Sequence, residues 1–131
     1  MTASANTALR AAQVVGFVPT RNFRSARHFF EATLGLPLVA KDEFALLFEG
    51  GGTPIRVVKV GPFEPAPFTI LGWRVPDVMQ MVSSLAGRGV VFERFPGMEQ
   101  DTLGIWTAPS GARVAWFKDP DGNLLSVSQQ A

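Results

Sequence analysis

Phe117-Lys118-Asp119-Pro120-Asp121-Gly122-Asn123-Leu124 joins two apolar runs through a proline, two aspartates and a glycine, set where a tight reversal requires them. The flanking runs, Ala112–Lys118 and Leu124–Gln129, have the length and composition of strands. The stretch reads as a hairpin at the end of the chain.

Moving outward, Phe68–Val75 is a further strand, stopped by Pro76. Asp77 with Gln80 three residues on resembles a capping box, and Val78, Met81, Val82 and Leu85 form the apolar face of a helix ending around Gly87–Gly89. Val90–Phe95 reads as a strand, and Gly104–Thr107 as a short hairpin arm before the turn at Pro109-Ser110-Gly111. The first half has the same order. Gln13–Val18 is a strand stopped by Pro19, and Thr20 or Asn22 offers an N-cap for a helix over Phe23–Leu34. Phe23, Ala26, Phe30 and Leu34 mark its buried face, and Gly35 suits its stop. Strands at Pro37–Ala40, Phe44–Phe48 and Ile55–Val60 follow, with Gly50-Gly51-Gly52 turning the chain between the last two.

Strand, helix and three strands therefore occur twice, and Val18-Pro19 is matched by Val75-Pro76. The spacing predicts one α+β domain of two βαβββ modules that cover each other's sheets. The boundaries are a loose N-terminal tail at 1–11, a first module at 12–60, a linker at 61–67 and a second module at 68–131. The linker holds Pro62, Pro65 and Pro67, which exclude helix there.

Composition narrows the function. Of 131 residues 47% are hydrophobic, which suffices for a packed core, and the formal charge of +1 leaves no footprint for nucleic acid or an anionic membrane. The absence of cysteine excludes disulfides, thiolate zinc sites and cysteine nucleophiles. No apolar run approaches the ~20 residues of a membrane span, and Met1–Ala12 lacks the pattern of a signal peptide, so a cytoplasmic protein is expected.

A turn of the Asp-Pro-Asp-Gly type late in a βαβββ duplication resembles the vicinal oxygen chelate superfamily, which contains glyoxalase I, extradiol dioxygenases, fosfomycin-modifying enzymes and bleomycin-binding proteins. Phe29-Phe30 and then Leu34-Gly35-Leu36 resemble that group's first helix and its exit, and the likeness runs from about Ala12 to Gln129. The resemblance implies a small-molecule cleft between curved sheets, a divalent metal held by strand residues, and in many members a homodimer.

Carried onto this chain, the implied metal positions are Gln13, Arg56, Ile70 and Ser126. Isoleucine has no donor atom, and arginine presents only N–H groups that repel a cation. Two weak oxygens are too few for a catalytic zinc, so no metal or other cofactor is expected. A one-residue change of register would instead bring Glu49, Glu93, Glu99 or Asp101 toward a hard cation. His28, the sole histidine, reads as an exposed helical residue.

The superfamily's inward parity puts Gln13, Val15 and Phe17 in the cleft from one module, Ile70, Gly72 and Arg74 from the other, and Arg56 and Ser126 on its floor. Arg56 and Arg74 would hold a carboxylate or phosphate, or else pair with Glu93 or Asp101. Trp106 is a candidate for stacking on a flat ligand or for a plug at a dimer seam, Trp73 reads as core, and the parity of Trp116 is open. No nucleophile–base pair is legible, and Gly50–Gly52 precedes no helix and so is no phosphate loop. The expected function is the binding of a small, anionic organic molecule without a metal, in a homodimer. Two alternatives stay open: a divalent-metal-dependent lyase, isomerase or dioxygenase, with metal-free acid–base work by Glu99 or Asp101 as a further form of enzyme, and a non-catalytic interaction module.

Overall fold

In the computed structural model, which describes residues 5–131, the strands form two four-stranded mixed sheets. The first sheet is built from β1 (Gly16–Thr20), β2 (Leu38–Lys41), β3 (Ala45–Gly50) and β4 (Thr53–Lys59) in the order β1-β4-β3-β2. The second uses β5 (Thr69–Arg74), β6 (Trp106–Thr107), β7 (Arg113–Lys118) and β8 (Leu124–Gln129) in the matching order β5-β8-β7-β6. In each, the first strand runs parallel to the last and the other neighbours are antiparallel. The duplicated α+β fold expected from the sequence is present.

Met1–Ser4 of the expected tail lie outside the described residues. Residues 5–10, expected to be loose, form a short helix α1 (Ala5–Arg10), as its alanines and leucine favour, and Leu9 on it is exposed. β1 begins at Gly16 rather than Gln13 and runs through Pro19 to Thr20. Pro19 does not stop the strand because β1 is an edge, where a missing N–H breaks no second ladder. Asn22, not Thr20, caps the first helix, accepting the Ser25 N–H at 3.1 Å.

That helix is not uniform. Five α-helical residues, α2 (Phe23–Arg27), widen into a π-helical segment, His28–Thr33, closed by Leu34 N–H on the Phe29 carbonyl. The wider winding lets two consecutive aromatics both serve the core. Phe30 packs on Phe48 of the first sheet with ring centroids 5.6 Å apart, while Phe29 reaches Phe117 of the second at 6.3 Å. The second helix, α3 (Val78–Gly87), starts at Asp77, whose carboxylate accepts the Gln80 N–H at 3.0 Å, and buries Val78, Val82 and Leu85. No helix among the described residues is long and apolar enough to cross a membrane.

Gly51 and Gly52 both have positive φ, 57° and 86°, the hairpin geometry that side chains oppose between β3 and β4. Val90–Phe95 does not form the expected strand. The outer edge of β7 is divided: β6 takes Arg113 and Val114, and the 90–95 segment makes a single bridge, Phe92 to Phe117. Pro96 and Gly97 then bend the chain away. The Gln100 side chain substitutes for a neighbouring strand, its amide donating to the Glu93 and Gly104 carbonyls at 2.9 and 2.8 Å and accepting the Phe95 N–H at 2.8 Å. Gln100→Ala is therefore expected to lose about 1–2 kcal/mol of stability, measurable by urea unfolding, and to free the arm that carries Trp106.

The turn at Asp119–Asn123 ties the modules together. Asp119 accepts the N–H groups of Asp121 and Asn123 and the Asn123 amide at 2.9–3.0 Å, and that amide also donates to the Pro19 carbonyl. Asp121 accepts the Thr20 hydroxyl and the Arg21 N–H, so the end of β1 is held by the far end of the chain. Gly122 at φ 89° lies so close to Pro65 that a Cβ would stand 3.2 Å from its ring. Burial raises the Asp119 carboxyl above its usual range, against the hydrogen bonds of Asn123.

Candidate functional site

Cross-strand register assigns each residue a face. Val18, Phe48, Ile55 and Val57 of the first sheet, and Ala115, Phe117, Leu125 and Val127 of the second, belong to one buried cluster with the helices. Both sheets turn these faces to a shared core, so the other face of each sheet points away from it.

On the outer face of the first sheet Phe17 pairs with Arg56, and Leu47 lies across from Arg56. Phe17 is 63% exposed and Arg56 is half-buried. Val15 is exposed just before the strand, and Gln13 lies further out, its amide donating to the Gly52 carbonyl at 3.3 Å. On the outer face of the second sheet Gly72 and Trp116 both pair with Ser126, Arg74 pairs with Ser128, and Trp106 with Val114. A Cβ at Gly72 would stand 2.6 Å from the Ser126 hydroxyl, so the serine fills the space the glycine leaves.

Ile70 departs from simple alternation. The register shifts between Thr69 and Leu71, and Ile70, the extra residue, is half-buried and packed against the core. Trp73 packs on the core side, as parity predicts. Trp116, whose parity the sequence left open, lies on the outer face. Its ring is 6.2 Å from Trp106 and 5.4 Å from Phe95, and its Nε1 donates to the Thr69 hydroxyl. Phe95 and Trp116 thus form an aromatic patch with Trp106. The signal available was the pairing of Trp116 with Ser126 across the Asp-Pro-Asp-Gly hairpin.

Phe17 and Arg56 lie on the outer face of the first sheet, and Arg74, Trp106 and Ser126 on the outer face of the second. The acids weighed as partners for the arginines are engaged elsewhere. Glu93 pairs with Lys118 at 3.6 Å, and Asp101 accepts the N–H groups of Leu103 and Ile105 at 2.9 Å, which builds its own turn. Arg56 and Arg74 make no ion pair among the described residues.

Solved structures superpose on this arrangement over nearly its whole length. A lactoylglutathione lyase from Agrobacterium tumefaciens matches with a TM-score of 0.72 at 15% identity, covering 91% of this chain and 93% of that one. A bleomycin resistance determinant encoded on the transposon Tn5 matches at 0.71 and 21%, covering 92% and 98%. The chain has the glyoxalase/bleomycin-resistance fold. A glyoxalase/bleomycin resistance protein/dioxygenase from Alicyclobacillus acidocaldarius has the same fold at a TM-score of 0.67 and 16% identity, covering 92% of each chain. No protein-family profile matches the sequence, and no curated protein does. The superfamily resemblance read from the sequence holds at the level of the fold.

The metal implied by this fold does not suit the residues present. Of the four positions, Ile70 has no donor, Arg56 carries a cation, Gln13 is turned to Gly52, and Ser126 is a single neutral hydroxyl beside Gly72. Among the described residues no three His, Cys, Asp or Glu side chains stand together as a metal site, the carboxylates of Glu49, Glu93, Glu99 and Asp101 included. His28 is exposed.

Proposed function

We propose that this protein binds a small, anionic organic molecule without a metal, in a cleft completed when two copies of the chain bring the outer face of one first sheet against the outer face of the other's second sheet. The observation that carries this reading is that Arg56, across from Phe17, and Arg74, on the sheet that carries Trp106 and Trp116, make no ion pair among the described residues and lie on faces that the core leaves uncovered. A guanidinium in such a setting favours a carboxylate or phosphate through paired N–H donors, and Phe17, Trp106 and Trp116 supply the apolar walls. Ser126 adds one hydroxyl to the floor, with Gln13 and Val15 at the mouth. The exposure of Phe17 supports the dimer, since an apolar ring at a strand edge is more stable covered.

The Asp101 carboxylate is held by its own turn, which weakens the acid–base alternative. Screening carboxylates and phosphates by calorimetry tests the reading. Arg56→Gln and Arg74→Gln are each expected to weaken a ligand found in this way about tenfold, the loss of one charge-assisted contact. Unchanged affinity in both variants would remove the anion from the proposal, and a ligand-free result across the screen would favour an interaction module.

A further inference from the structure

We propose a second binding site, on the core side of the sheets, for a compact aromatic or branched monocarboxylate. A cavity of about 160 Å³ lies between α3 and the exit of the π-helical segment, walled by Leu34, Trp73, Met81, Leu85, Phe117 and Val127 among others, all of them apolar. An apolar cavity of about 150 Å³ is large enough to take up benzene. It meets a larger, open cavity of about 460 Å³ along α3, with Leu34, Val75, Met81 and Leu85 lining both.

The outer cavity decides the ligand's polarity. Arg88 is the one cation that lines it, three residues after Leu85 and so on the same side of the chain. The Arg88 Nη1 donates to the Thr33 carbonyl at 3.1 Å, and the guanidinium makes no ion pair among the described residues. Its remaining N–H groups are available to an anion. The acid lining the same cavity, Asp77, caps the opposite end of α3, about 15 Å along the helix axis, and its carboxylate is engaged by the Gln80 N–H. A ring or branched alkyl group thus fits the inner cavity while its carboxylate meets Arg88. This site is distinct from the outer faces that carry Arg56 and Arg74, and it does not depend on a dimer.

Benzoate and benzene, titrated separately into the full-length protein and followed by NMR, test the site. Both are expected to shift the Met81 methyl and the Trp73 indole saturably. Ser84→Trp, an exposed change at the rim, is expected to abolish both responses. Arg88→Gln is expected to weaken benzoate roughly tenfold and leave benzene unchanged. Shifts that do not saturate, shifts confined to Trp106 and Trp116, or an Arg88→Gln variant that binds benzoate as before would each overturn the proposal.

Discussion

Phe117→Ala is expected to lower the free energy of unfolding by about 3–5 kcal/mol. The Phe117 ring is fully buried and is one of the points at which the two modules meet. Phe29 of the π-helical segment approaches it at 6.3 Å and Phe92 at 5.6 Å. The ring also walls the inner cavity beside α3, so its removal would enlarge an existing void rather than let the neighbours close in. A loss of this size is a large part of the roughly 5–15 kcal/mol that a domain possesses. Urea unfolding followed by circular dichroism measures it. A loss below about 1 kcal/mol would mean that the modules do not share one core.

Asp119→Ala comes next, with an expected loss of about 2–4 kcal/mol. The carboxylate accepts three hydrogen bonds, two from backbone N–H groups and one from the Asn123 amide, and the alanine variant leaves the two N–H groups without a partner and the amide with Pro19 alone. The effect should spread to the first module, because that same Asn123 amide holds the Pro19 carbonyl. The pH dependence has its own sign. Burial raises the Asp119 pKa above 3.8, so the folded state retains its proton over a window in which the unfolded chain releases it. This group's contribution to stability is therefore largest in acid and declines as pH rises through that window. Asp42 runs the other way. The N–H groups of Phe44 and Ala45 lower its pKa, and its contribution is lost as pH falls below 3.8. Unfolding of wild type and Asp119→Asn across this acid range should show the advantage of wild type shrinking as pH rises, and a difference independent of pH would contradict the assignment.

The parts of the fold legible in the sequence are those fixed by local chemistry. Leu124–Gln129 is the strand as read, and Asp77 caps the second helix as read, because alternation and capping act within a few residues. The repeat of Val-Pro before each helix revealed the duplication. What escaped depends on contacts distant in the chain. Val90–Phe95 has strand composition, but β6 already occupies part of the edge it would need, and Gln100 satisfies its backbone instead. The π-helical winding of His28–Thr33 follows from the need to point Phe29 and Phe30 at different sheets, which no periodicity within the helix reveals.

The candidate site was legible by parity and not by assembly. Alternation put Phe17, Arg56, Arg74 and Ser126 on outer faces, and failed at Ile70 because a bulge adds a residue there. It could not show that both sheets turn their inner faces to one cluster with the helices, since that is set by how the modules pack. Nor could it show that Glu93 and Asp101 are engaged by Lys118 and by a turn, which leaves the two arginines without these partners.

Binding without a metal, as proposed, is open to elemental analysis for Zn, Ni, Fe, Mn and Co on tag-free protein, repeated after incubation with each metal. No stoichiometric metal is expected under either condition. About one tightly held metal per chain would contradict the proposal, because a site of that affinity needs at least three good donors and would make a metal-dependent enzyme the better reading.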